Sequence, residues 1–287
     1  MKIKSILALV LLSFGIMAFK SDYPAYKIFN KKGKASSYKN LVKAIQKADV
    51  VFFGELHNNP IAHWMELELT KEMYNQNKEN LVLGAEMYEA DDQTIIDEYL
   101  TDKYSYKAFE PEMKLWPNNT TDYQPLLDFA KEKKLNFIAT NVPRRYAKMV
   151  YKGGFEALNS LSDEAKKWIA PLPIDYDPSL PAYVEMMEMM GGHGGDNLPK
   201  AQAIKDATMA HFINSNLKPG QKFLHYNGSF HSDNYQGIVW YLQKQRPELN
   251  ILVISTVEQA VIDTLSEEHQ GIADFILCIP EDMTKTY

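Results

Sequence analysis

Two Gly-x-x-His motifs stand out by residue type and spacing: Gly54-Glu55-Leu56-His57 and Gly228-Ser229-Phe230-His231. Each follows a short apolar run, at residues 50–53 and 223–226. A third run, 81–85, ends in Glu86, and a fourth, 136–139, ends in Thr140-Asn141. Neutral imidazole is the commonest transition-metal ligand. Two histidines and a carboxylate, here His57, His231 and Glu86, form a catalytic metal set with an open position. Glu55 suits a general base, or a partner that orients His57. His63 is a candidate accessory ligand. Gly54 and Gly228 allow a sharp turn where strand gives way to loop. The competing reading is that these residues only hold loops in place. One Gly-x-x-His has no specificity, and the weight rests on its recurrence after apolar runs.

A second constellation is Glu185-Met-Met-Glu-Met-Met-Gly-Gly-His-Gly-Gly195, where four Met and a His stand beside four glycines. Thioethers with imidazole can hold Cu(I). Adaptable Met surface equally pads a broad apolar ligand, and a core-facing helix end with a Gly-rich stop is the third reading. Tyr183 precedes the stretch and His193 lies within it. Phenolate and imidazole are both axial ligand types for haem iron, which makes this pair the candidate cofactor-binding residues.

The elements that must position these groups follow from hydrophobic pattern. Short continuous apolar runs, with two more at 251–254 and 275–277, suit strands buried on both faces. Helical patterns lie between them. One starts at Asn59-Pro60 and runs to about residue 77; others fit 91–100, 123–133, 144–151, 163–169, 200–216 and 235–245. Strand–helix alternation predicts an α/β fold with a largely parallel or mixed sheet flanked by helices. The polar clusters then share the carboxyl edge, where ligands of such sheets bind. Glu55, His57, Glu86, Asn141 and His231 are expected to converge on one crevice there. Residues 101–122 and 153–199 interrupt the rhythm and read as lid or wall insertions. His225 falls inside its strand and reads as structural; His211 and His269 read as solvated.

Lys2 and Lys4 precede an apolar run over residues 6–19, the form of a secretory leader and short for a membrane span. The expected layout is a signal peptide at 1–20, a linker and first helix at 21–48 and one domain at 49–287. A protein exported to the periplasm or cell envelope is expected. With 31 Lys and Arg against 37 Asp and Glu, net charge −6, no basic excess supports nucleic-acid binding. Cys278, the only cysteine, excludes an internal disulfide and reads as a buried small hydrophobe.

The motifs resemble the ChaN family of haem-binding uptake proteins, within a wider group that includes Tiki and TraB proteins. The matching pieces are Phe53-Gly-Glu-Leu-His-Asn-Asn-Pro60, Gly84-Ala-Glu-Met87, Thr140-Asn-Val-Pro-Arg144, Ala201-Gln-Ala-Ile-Lys-Asp-Ala-Thr-Met-Ala210 and Gly228-Ser-Phe-His231. The resemblance implies an α/β fold, a cell-envelope location and haem or iron binding. It adds Asn141, Arg144, Gln202 and Asp206 as supporting residues. Its implied partners are haem or another small ligand, a second copy of the chain on ligand binding, and an outer-membrane uptake receptor. Tiki-like relatives imply instead a metal-dependent hydrolase with a divalent transition metal at His57, Glu86 and His231. The chain departs from the pattern in having no lipobox cysteine, Lys205 in place of an arginine, and Phe230 directly before His231.

Overall fold

The computed structural model describes residues 24–189 and 195–287; the expected leader and His193 lie outside them. Seven strands form one sheet: β1 (Lys27–Asn30), β2 (Val50–Glu55), β3 (Leu81–Glu89), β4 (Asn136–Asn141), β5 (Lys222–Gly228), β6 (Ile251–Gln259) and β7 (Phe275–Pro280). Their order is β1-β7-β6-β2-β5-β3-β4. Only β1, at the edge, is antiparallel to its neighbour. The longer helices are α1 (Tyr38–Ile45), α2 (Pro60–Asn77), α3 (Gln93–Leu100), α4 (Gln124–Lys133), α5 (Arg144–Gly153), α6 (Pro181–Met189), α7 (Leu198–Asn216) and α8 (Ile238–Gln245). This is the α/β architecture that the strand–helix alternation predicts.

Strand periodicity divides the sheet between two cores. Along β2, Val51 and Phe53 face one core with Met65 and Leu69 of α2, Ile96 of α3 and Leu127 of α4. Val50 and Phe52 face the other, with Val150 of α5, Ile204 and Ile213 of α7 and Leu242 of α8. Both faces are covered, which is why the strand sequences are apolar without alternation. The chain winds from β2 through β3 to β4 over the first face. It returns across the second face through α5, α6 and α7, and inserts β5 between β2 and β3. After β2 the chain therefore leaves toward one face, and after β5 toward the other. Adjacent strands whose connections part in this way open a crevice at their carboxyl ends.

Three local differences from the sequence reading have physical causes. β3 runs through Glu86 to Glu89, so Glu86 belongs to the strand and does not follow it. The pairing of β3 with β4 shifts register between Ala85 and Glu89, an irregularity that re-aims side chains there. Residues 27–30, within the expected linker, form the edge strand β1, where Ile28 and Phe29 are buried toward opposite cores. Four residues are too few to show a period. The 101–122 stretch holds short helices at Tyr106–Phe109 and Asn119–Asp122, and buries Phe109 and Met113 in the first core.

Candidate functional site

His57 lies just past β2, in a loop ended by a strong helix start. The Asn59 side chain accepts from the amides of Ile61 and Ala62 at 3.0 and 3.2 Å, and Pro60 opens α2. His57 Nδ1 is 2.6 Å from Glu55 Oε1. The other Glu55 oxygen is 2.6 Å from His63 Nε2, and the Tyr123 hydroxyl donates to Oε1 at 3.0 Å. Burial pushes the Glu55 carboxyl up, but the bonds from His57 and His63 outweigh it and hold the acid below its ordinary value. Glu55 is thus a saturated anion that orients His57. Burial opposes the charged form of His57, yet the Glu55 bond and charge raise its pKa. His63, the candidate accessory ligand, has its second nitrogen 3.1 Å from Asp122. With both nitrogens facing carboxylates, it supports Glu55.

His231, in the turn after β5, repeats the arrangement from the opposite face. Its Nδ1 is 2.5 Å from Asp206 Oδ1 and its Nε2 is 3.1 Å from Glu86 Oε1. The amide nitrogen of Gln202 lies 3.0 and 3.2 Å from the two ring nitrogens. Gln202 and Asp206 stand four residues apart on α7 and so share a face. Burial disfavours the charged imidazole, but Glu86 and Asp206 overcome it and raise the His231 pKa to about 9. Burial would likewise lift Glu86, yet the charge of His231 holds its carboxyl well below the ordinary value. Glu86 Oε2 accepts the Gly228 amide at 2.8 Å, and Asn141 donates to the Glu86 carbonyl at 2.9 Å. The structure thereby joins Glu55, His57, Glu86, Asn141, Gln202, Asp206 and His231 at one crevice.

The glycines of the two motifs are needed for room more than for a turn. A Cβ on Gly228 would sit 2.7 Å from His57 Nε2, and one on Gly54 would sit 2.9 Å from the Ser229 backbone. Gly228 has φ −55°, a conformation open to any residue. Each motif thus makes space for the other.

The crevice has a volume of about 240 Å³. Trp116 walls it, its ring 4.7 Å from that of His57 in an edge-to-face contact. Arg144 and Lys205 reach it from α5 and α7. Each imidazole is backed by a carboxylate at Nδ1, the pattern that orients metal-binding histidines, and His57, Glu86 and His231 are the residues that would hold a divalent ion here. Among the described residues, the group whose three ligand atoms fall within 4.8 Å of one another is a different one, Glu89, Asp91 and Asp92. Lys114 already sits among those acids, 2.9 Å from Asp92 and 3.2 Å from Glu89.

Tyr183, on α6, donates its hydroxyl to Asp206 Oδ2 at 3.3 Å. Burial, reinforced by Asp206, pushes this phenol far above its ordinary value. Its ring also lines a separate, mainly apolar cavity of about 590 Å³, with Tyr176, Val184, Met187 and Pro199. His225 is buried and bonded to Thr140 and Asn227, and burial pulls its pKa down to about 4, a neutral structural imidazole as its in-strand position predicts. Sequence reasoning missed Tyr123, Trp116 and Asn118, which donates to the His57 carbonyl at 2.8 Å. The available signal was Trp116-Pro-Asn-Asn119 inside a stretch already read as a wall.

The chain is similar in fold to ChaN of Campylobacter jejuni, described for its cofacial haem binding, with TM-score 0.67 and 16% identity over 90% of this chain and 98% of that one. It is also similar to a mutant of erythromycin esterase EreC in its open conformation, with TM-score 0.50 and 10% identity over 90% and 98% of the two chains. A succinoglycan biosynthesis protein gives TM-score 0.50 and 11% identity over 89% and 94%. At these identities the likeness is one of fold. No curated protein matches the chain. Residues 41–242, which carry both Gly-x-x-His motifs and every strand that bounds the crevice, match the family described as haem-binding uptake, Tiki superfamily, ChaN, and the chain belongs to that family.

Proposed function

We propose that this chain is an exported haem-binding protein of an iron-uptake system. Family membership supports haem, and the observation that carries the reading is the apolar cavity beside α6. Haem is a broad apolar plate that needs apolar walls and one or two axial ligands. The cavity of about 590 Å³ falls within the roughly 300–1,000 Å³ usual for cofactor pockets. Val184 and Met187 offer apolar surface, and Lys200 is among the lining residues. The polar crevice, at about 240 Å³, is too small and too charged for such a plate. The fit therefore favours the α6 cavity, with Tyr183 and His193 as the cofactor-binding residues. Tyr183 gives its ring to the wall while its hydroxyl is engaged by Asp206. The imidazole of His193, close in sequence, is the axial ligand we assign. Bound haem would supply the iron that the system carries.

Haem titration of the purified mature chain should give a saturable Soret band. His193→Ala should shift or erase it, and Tyr183→Phe should leave it nearly intact. If the band survives His193→Ala but is lost in His57→Ala, haem sits in the crevice and the assignment fails. Export follows from the charged start and short apolar run. Intact-mass analysis of the envelope fraction should show loss of a segment that ends near residues 18–21, and a mass that retains Met1 to Lys20 would refute processing. A second copy of the chain and an outer-membrane receptor complete the proposed partners.

A further inference from the structure

We propose that residues 114–118 form a gate across the mouth of the crevice, in which Trp116 covers His57 and Lys114 is the positioning residue that holds the gate shut. The inference does not depend on haem binding at α6. It starts from how this stretch is held. Among the described residues, the backbone amides of Lys114, Leu115 and Trp116 make no hydrogen bond to other backbone. Side chains fix the segment at its two ends. At one end the Lys114 ammonium donates to Asp92 Oδ1 at 2.9 Å and to Asp91 Oδ1 at 3.2 Å, and it stands 3.2 Å from Glu89 Oε2. At the other end Asn118 donates to the His57 carbonyl at 2.8 Å and to Asp122 at 2.6 Å. Between them the Trp116 ring meets the His57 ring edge to face at 4.7 Å and the Tyr123 ring at 5.9 Å.

The two ends differ in kind. Asn118 is buried, whereas the Lys114 side chain is 46% exposed. Salt screens ion pairs near the surface and affects buried hydrogen bonds far less. The Lys114 end is therefore the one that opens. What draws it back is the state of the acids, which lie at the end of β3 and in the turn after it. Their side chains are 8% to 13% exposed. Burial raises the Asp92 pKa, Lys114 opposes that, and Asp91 and Glu89 add to it. Withdrawal of the ammonium would leave these buried carboxylates crowded together, and a buried charge stripped of its partner is costly. Glu89, Trp116 and His57 line the crevice, and Lys114 acts on it through Trp116. Opening would widen a space of about 240 Å³ and uncover His57, whose side chain is 34% exposed with the gate shut.

The test is the rate at which diethyl pyrocarbonate modifies His57 in the full mature chain at pH 7 and low salt, read by peptide mass mapping. Loss of the ion pairs of one partly exposed ammonium corresponds to about three- to tenfold in the open population. Lys114→Met should speed the modification of His57 by that factor, and Trp116→Ala by at least as much. Lys114→Arg keeps the ion pairs and should restore the wild-type rate. Lys107→Met, the same charge change at an exposed lysine of the same stretch, should react as wild type. Sodium chloride at about 0.5 M should speed His57 in the wild type and leave Lys114→Met unchanged. His225, buried within β5, reports general loosening and should stay unmodified throughout. An unchanged His57 rate in Lys114→Met, or an increase shared by Lys107→Met or by His225, overturns the role of Lys114. An unchanged rate in Trp116→Ala overturns the gate itself. If Lys114→Met does not fold, the salt series on the wild type decides, and a rate independent of salt overturns the proposal.

Discussion

At the scale of single residues, the crevice is organised by charge held against burial. His231 is buried, and it is cationic because Glu86 and Asp206 face it from two sides. A pKa raised from 6.5 to about 9 means that the fold binds this proton more tightly than the unfolded chain does. The resulting stability, on the order of 3 kcal/mol, is full below about pH 6.5 and is lost as pH rises through about 9. Asp206→Asn should bring the His231 pKa down toward 6.5 in an NMR titration. Its urea midpoint should fall below wild type at pH 6, with a smaller gap at pH 9.5. An equal gap at both values would show that Asp206 acts by shape alone. Gly228→Ala tests the close approach of the two motifs. The added methyl would meet His57 Nε2 at 2.7 Å, so the ring or the strand end must move. A cost of about 1–3 kcal/mol in chemical denaturation is expected, together with a shifted His57 resonance. A wild-type His57 signal would mean that the space is not needed.

At the scale of elements, α2 shows why part of the site was hard to read. Its apolar stripe, Ala62, Met65, Leu69 and Met73, packs into the first core. Beside it runs a polar stripe, His63, Glu66 and Thr70, which is equally buried. The Thr70 hydroxyl pairs with that of Tyr226 at 2.5 Å, and both Glu66 oxygens lack a hydrogen-bond partner among the described residues. A helix buried on two stripes of opposite character has no clear amphipathic period. The sequence signals the helix through Asn59-Pro60 but not which polar residues face inward. Strands were legible for the converse reason, since burial on both faces gives continuous apolar runs. The positions of His57 and His231 at the carboxyl edge followed from those runs. Trp116 and Asp122 did not, because they come from a segment with no period of its own, and Tyr123 did not because the start of the 123–133 helical pattern carries no mark that its hydroxyl meets Glu55. Glu66 gives a test of this element. Burial, with Glu55 and Asp122 nearby, pushes its acid well above the ordinary value. The folded chain thus keeps a proton that the unfolded chain releases above about pH 4.5. Stability falls by about 1.4 kcal/mol for each pH unit between the two pKa values. Glu66→Gln removes that slope and should be more stable than wild type at pH 7, with a flatter profile from pH 5 to 8. A less stable variant with the wild-type slope would place the proton elsewhere.

At the scale of the whole molecule, the crevice depends on parts of the chain outside the family match at residues 41–242. β6 pairs with β2 from Val50 to Gly54, and β7 then carries β1 at the edge. Val253, Ile276 and Cys278 complete the second core. The segment 41–242 alone would expose the β2 edge and lack about a quarter of the buried residues of that core. The C-terminal residues also reach the site. Glu258, in β6, accepts from the Asn59 side chain at 2.7 Å and pairs with Lys285. The backbone amide of Thr286 donates to the Asn58 carbonyl at 2.9 Å. Both contacts fall on the loop between His57 and α2, so the tail clamps one of the two histidine motifs from outside the crevice. Removal of residues 284–287 takes away the Thr286 and Lys285 contacts but no core side chain, and it leaves Glu258 on Asn59 and Glu55 and Asn118 on His57. The expected result is a thermal midpoint within a few degrees of wild type and faster amide exchange confined to residues 56–60, because opening there becomes local. Exchange that stays at the wild-type rate would mean that the Glu55 network fixes the loop unaided, while loss of cooperative unfolding would mean that the tail is part of the core.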